Sequence, residues 1–192
     1  MNSDKLRIFV AIALLVSGIY VAYLTFLAPK HKINTTSASQ ARYIKSHAPK
    51  VSSQDMLIIP KISVHAPINP DGVATLENGA IWHRQPKNGS PTDGGNFVLA
   101  GHRYQFAITP DRTIKNSVLY DLDKMKIGDR ILVDWQKKRH IYKISKLYDV
   151  KPNDVEIEQR SVYPKMTLYT CTLAGSTDGR IVVEAIPVHA NM

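Results

Sequence analysis

The chain has 192 residues, enough for one domain and an appendage, with the 44% apolar content of a globular protein. Its single cysteine excludes an intramolecular disulfide, and with it any disulfide scaffold. The net charge of +9 invites a nucleic-acid partner, but the distribution argues for none.

Residues 28–52 carry five Lys and Arg and no acid, whereas residues 53–192 hold 18 basic residues against 15 acidic ones. No basic-aromatic stripe marks the body as a nucleic-acid groove. A basic stretch beside a hydrophobic segment suits anionic headgroups or wall polymers, at about 1 kcal/mol per basic residue near a membrane surface.

Residues 1–7 read as a short N-terminal segment with Lys5 and Arg7. Ile8–Leu27 is a run of 20 residues without a charge. As a helix it would cross a bilayer core of about 30 Å. Tyr20 and Tyr23 stand toward one end, where aromatic residues favour the interface. A signal peptide has a shorter apolar region, and a core helix would show a polar side. An uncleaved single-pass transmembrane anchor is therefore expected, with a cleaved signal second. Residues 28–54 read as a polar, basic linker, with a short helix over SQARYIKSHA capped by Ser39 and stopped by Pro49.

From residue 55 to 192 short apolar runs alternate with turn residues. LIIPKISVHAPI reads as one or two strands interrupted by prolines, hence near an edge. GVATLENGAIWHRQP leads into the turn-rich KNGSPTDGGN. NFVLAGH (Asn96–His102) reads as a strand ending at its histidine. SVLYDLDKMKIGD is a short helix or turn, and RILVDWQ with RHIYKISKLYDVKP forms a hairpin around Gln136–Lys138. VEIEQRSVYP is irregular. MTLYTC and RIVVEAIPV are strands joined by the loop TLAGSTDG, with Asp178-Gly179 as its turn signal. Many short strands between turns predict a mainly β fold, a closed barrel or sandwich with one or two short helices.

Three side chains carry candidate chemistry. Cys171 closes one strand and Arg180 opens the next, so antiparallel pairing makes them neighbours, with β-carbons about 4.5–5.5 Å apart where residues are directly opposite. A cation at that range favours thiolate, the reactive form. A lone cysteine is also a common buried hydrophobe, and a strand-end arginine a common solvated charge. His102 ends its strand as Cys171 does; if the two strands are parallel or share a barrel edge, the imidazole flanks the thiol and supplies proton transfer. Strand periodicity puts Thr167, Tyr169 and Cys171 on one face, which is expected to line the groove. Thr170 is an accessory candidate through its backbone. His31, His47, His65, His83, His140 and His189 read as solvated, His83 beside Trp82 being the least clear. Glu77, Asp93, Glu156 and Glu158 are scattered, and neither a metal nor any other cofactor is expected.

LAGH at Leu99–His102, TLYTC at Thr167–Cys171 and Arg180 nine residues on resemble the sortase family. IPKISVHAPI, GGNFVLAGHR and LYDLDKMKIGDRI extend the resemblance in order from about Leu57 to Val188. It implies an eight-stranded β-barrel bearing a cysteine transpeptidase that works outside the bacterial membrane. It implies substrates that are secreted proteins with a C-terminal LPxTG-like sorting signal, and an amine acceptor from a cell-wall precursor or another protein. By position, Cys171 matches the nucleophile, His102 the general acid/base, and Arg180 the cation that stabilises substrate and oxyanion. The basic residues flanking Ile8–Leu27, two before and five after, argue by the positive-inside rule for a cytoplasmic body, against the outward orientation the resemblance implies. Residues 28–55 show no pilus-type lid and the chain ends soon after the last strand, which favours attachment of individual proteins to the wall. Two other readings compete: an L,D-transpeptidase, whose cysteine follows a Ser-x-Gly pattern absent here, and a non-catalytic wall-binding domain on a membrane stalk.

Overall fold

The structure, a computed structural model, describes residues 3–22 and 49–188. Helix α1 spans Ser3–Ala22 and carries no charge from Ile8 onward. Phe9, Ile12, Leu14, Leu15 and Ile19 are all exposed on it. Residues 23–27 of the expected anchor lie outside the described residues, and among those described no helix is long and apolar enough to cross a membrane. The short helix expected near Ser39 also lies outside them, as do His31, His47 and His189.

The described residues of the body form nine strands: β1 (Met56–Ile59), β2 (Val64–Asn69), β3 (Ile81–Arg84), β4 (Gly89–Ser90), β5 (Gly94–Ala100), β6 (Arg130–Trp135), β7 (Lys138–Val150), β8 (Lys165–Thr172) and β9 (Gly175–Pro187). Eight follow one another in the order β3-β2-β1-β6-β7-β9-β8-β5, and a pairing of β3 with β5 closes the ring. The two-residue β4 lies against β5. The fold is thus mainly β, a closed eight-stranded barrel with few helices. Among the described residues only β2–β3 and β5–β8 pair in parallel.

Period-2 alternation sends one face of each strand inward. Leu57, Ile59, Phe97, Leu99, Ile131, Val133, Met166, Leu168 and Val183 are fully buried in one core cluster. Each such side chain contributes roughly 1.5–3 kcal/mol by leaving water. A smaller cluster of Val98, Ala100, Ile157, Tyr169 and Val182 forms outside the barrel wall. It arises because the β7–β8 connection, with its 3-10 turn Glu156–Glu158, covers that face.

The β6–β7 hairpin turns where expected, with Gln136 and Lys137 both left-handed (φ 49° and 62°), the geometry that matches strand twist in a two-residue connection. LIIPKISVHAPI resolves into two strands because Pro60 opens a 3-10 turn, Pro60–Ile62. A further helix, α2 (Pro110–Asn116), was not expected. Thr109 caps it, its Oγ1 accepting from the Arg112 N–H at 3.4 Å, and Pro110 opens it. Before β1 the chain already belongs to the barrel: Arg139 donates to the Pro49 carbonyl (2.8 Å), and the Ser52 N–H to Asp134 (2.8 Å).

Candidate active site

β8 and β9 pair antiparallel with Cys171 directly opposite Arg180. The expected long loop between them is not there. The strands run on to a tight turn at Leu173 and Ala174, Thr172 pairs with Gly175, and residues 176–179 bulge from β9. Gly175 makes this possible, since its φ of 110° suits only glycine. Asp178 does not form the turn; it accepts a 2.6 Å hydrogen bond from the Thr172 hydroxyl.

On the other side, β5 runs parallel to β8, with Ala100 level with Tyr169. Regular strand ends at Ala100, two residues before the histidine, yet the ladder continues. The Gly101 N–H donates to the Tyr169 carbonyl at 3.2 Å, and the Thr170 hydroxyl donates to the Gly101 carbonyl at 2.8 Å. The next residues along the two strands are His102 and Cys171. The register therefore brings all three candidates together, with Cys171 between the histidine strand and the arginine strand.

Backbone contacts hold the histidine: the Leu119 N–H donates to the His102 carbonyl at 2.9 Å. The ring is half-buried, and burial pulls its pKa below 6.5, an effect that the Glu77 carboxylate partly opposes. Cys171 is a free, half-buried thiol. Arg180 is half-buried too, and its Nη1 donates to the carbonyls of Ser176 (2.8 Å) and Gly179 (3.0 Å). The bulge thus orients the guanidinium, while Nε and Nη2 have no partner among the described residues. A half-exposed thiol, a half-buried imidazole and an arginine fork on adjoining strand ends suit acyl transfer through a thioester.

Three expectations change. Thr167 and Tyr169 share the Cys171 face but do not line an open groove; they are buried beneath the β7–β8 connection. Thr167 donates to Asn96 Oδ1 (2.7 Å) and Tyr169 to Glu158 Oε1 (2.6 Å). Burial and that carboxylate push the Tyr169 hydroxyl far above the ordinary phenol range. Thr170 acts through its side chain, not only its backbone. His83 is a core residue, not a solvated one: it is 3% exposed, meets Phe97 and Trp135 edge-on, and has Nε2 3.2 Å from the Gly89 carbonyl.

Among the scattered acids, Asp93 accepts from the Ser90 hydroxyl and Glu158 is ion-paired to Arg84. Among the described residues no three His, Cys, Asp or Glu are grouped to hold a metal ion.

The model of the sortase domain matches residues 57–188. The chain belongs to the sortase family. It is a sortase-type cysteine transpeptidase. A putative sortase of Bacillus subtilis, YwpE, is 30% identical over 90 residues, covering 47% of this chain and 80% of that protein. Sortase SrtE1 of Streptomyces coelicolor is 31% identical over 146 residues, covering 67% of this chain and 38% of that protein. Among solved structures, a Clostridium perfringens sortase D5 transpeptidase superposes with a TM-score of 0.58 at 26% identity, over 82% of this sortase and 92% of that chain. The S. coelicolor sortase E1, solved with a tripeptide in its active site, gives 0.59 at 24% identity over 72% and 89%, a likeness of fold. The match leaves the L,D-transpeptidase and wall-binding readings without support.

Proposed function

We propose that this sortase cleaves a C-terminal LPxTG-like sorting signal and joins the protein that carries it to an amine of the cell wall or of another protein. The observation that carries this reading is the register that sets Cys171 opposite Arg180 and one step beyond the Thr170–Gly101 hydrogen bond that leads to His102.

Cys171 passes its thiol proton to neutral His102 as the sulfur attacks the carbonyl before the scissile bond; a C–S bond forms, and the C–N bond breaks. The His102 imidazolium gives its proton to the departing amine. An incoming primary amine then attacks the thioester; the C–N bond forms, the C–S bond breaks and neutral His102 takes the proton. That proton then passes from the imidazolium to the departing sulfur, and thiol and neutral imidazole are regenerated. Arg180 donates to the oxyanion in both tetrahedral intermediates, a planar fork suiting that task.

Ile8–Leu27 serves as a single-pass anchor, with the basic residues after it at the lipid headgroups and the barrel outside the bacterial membrane. The 20 residues without a charge in the sequence support this. The deciding experiment incubates full-length protein in detergent with a library of sorting-signal peptides and amine acceptors. Mass spectrometry should find an acyl adduct on Cys171 that disappears when amine is added, with appearance of the ligated peptide. An adduct on no residue, with no cleavage of any peptide, would remove the reading.

A further inference from the structure

Glu158 lies in the β7–β8 connection and is only 9% exposed. Its carboxylate is surrounded by donors from elsewhere in the chain. The Tyr169 hydroxyl donates to Oε1 at 2.6 Å, and Arg84 Nε lies 2.7 Å from the same oxygen. Arg84 Nη2 and Gln85 Nε2 donate to Oε2 at 3.1 and 3.3 Å. Arg84 itself stacks over Trp82, 4.4 Å from the ring centroid.

The backbone of the same turn is also tied down. Asn88 donates to the Glu158 carbonyl at 2.7 Å. Asn96 Nδ2 donates to the carbonyls of both Ile157 (2.9 Å) and Gln159 (2.8 Å), and its Oδ1 accepts from Thr167. Three consecutive carbonyls of an otherwise irregular segment are therefore held by side chains of β5 and of the turn just before β4. A turn that needed only to connect β7 with β8 would use water for these groups.

The placement gives the pin a consequence. Tyr169 is on the Cys171 face of β8, two residues before the thiol, so the pinned turn covers the wall immediately next to the nucleophile. On either side of the pin the segment exposes Val155, Val162 and Tyr163, which are 66%, 92% and 80% exposed. We infer that Arg84, Glu158 and Tyr169 are positioning residues: they hold the β7–β8 connection as a fixed wall of the substrate groove, so that substrate binding does not have to order it. This rests on Cys171 being the nucleophile. A pre-ordered wall lowers the entropic cost of binding and leaves the chemical step alone.

The test is steady-state kinetics on full-length enzyme with a sorting-signal peptide, combined with hydrogen exchange of residues 151–164. Tyr169→Phe removes one hydroxyl and Glu158→Gln one charge. Each should raise the peptide KM about tenfold with kcat within about twofold. Exchange should quicken in 151–164 and stay slow in β5 and β8. Arg84→Lys should recover more of the affinity than Arg84→Gln. A merely destabilised barrel would instead lower apparent kcat, through the active fraction, at unchanged KM. Unchanged KM in both variants of an active wild type overturns this inference alone. A wild type that turns over no sorting peptide overturns the proposed function, and this inference with it.

Discussion

The hydroxyl of Thr170 reaches from the cysteine strand to the carbonyl of Gly101, 2.8 Å away on the histidine strand. The two residues are neighbours of the nucleophile and of the proposed acid/base, and Thr170 is 1% exposed. This bond fixes the spacing of the two strand ends where regular β5 has stopped. Thr170→Val keeps the shape and removes the donor. An unpaired buried polar group costs about 1–3 kcal/mol. Unfolding should shift by that amount, and peptide turnover should fall further than the stability loss explains. Equal kcat in the two proteins at a temperature where both are fully folded would reduce Thr170 to a structural residue.

Gly101 is the other half of this junction. A Cβ there would come within 2.7 Å of Leu119 Cδ1 and 2.9 Å of Ile81 Cδ1, both on fully buried side chains. Gly101→Ala should therefore destabilise the barrel by about 1–3 kcal/mol, as overpacking does. Denaturant melts measure this directly, and a neutral result would mean that Leu119 can move aside.

Arg180→Lys keeps the charge and loses the fork. Loss of one oxyanion donor costs about 2.7–4 kcal/mol of transition-state stabilisation, roughly a hundred- to a thousandfold in kcat. The substitution also removes the bonds that tie Arg180 Nη1 to Ser176 and Gly179. Rates near those of the wild type would leave Arg180 only an electrostatic part. Cys171→Ala should abolish acyl-adduct formation with the melting temperature nearly unchanged, because the thiol is half-buried and outside the main core.

Stability should fall as acid is added, first because of histidines. His83, His102 and His140 are all held below 6.5, in each case chiefly by burial. Their folded pKa values are lower than the unfolded ones, so the unfolded chain binds protons first. Their contribution is complete above about pH 6.5 and is lost as pH drops through the lowered values. Asp134 and Glu184, lowered from 3.8 and 4.5 by Arg139 and Lys165 against the opposing effect of burial, lose theirs only below that range. The melting temperature of the barrel should decline between pH 7 and 5; a flat profile there would contradict the histidine account.

Much of the site could be read from sequence because its geometry is local or periodic. Cys171 and Arg180 fall on adjacent strands whose alternation is plain, and the ladder did the rest. The histidine strand was readable as a strand, but that it runs beside β8 is a matter of tertiary pairing across 69 residues. The turn was misplaced for a physical reason. Asp178-Gly179 has the local propensity, but pairing of Thr172 with Gly175 continues the ladder and pushes the Asp-Gly pair into a bulge. Glu158 carried no signal at all: its partner Arg84 is 74 residues away, and a lone acid in an irregular stretch looks solvated.

Because β8 is threaded between β5 and β9, the three groups are joined by chain closures of very different length. The cysteine meets its arginine across a hairpin separation of nine residues, but meets its histidine across about seventy, a closure costlier by about 2 kcal/mol in chain entropy. A nascent chain that has released everything up to β7 already owns His102 and has nothing for it to act with. The constellation is complete only with the last two described strands, β8 and β9.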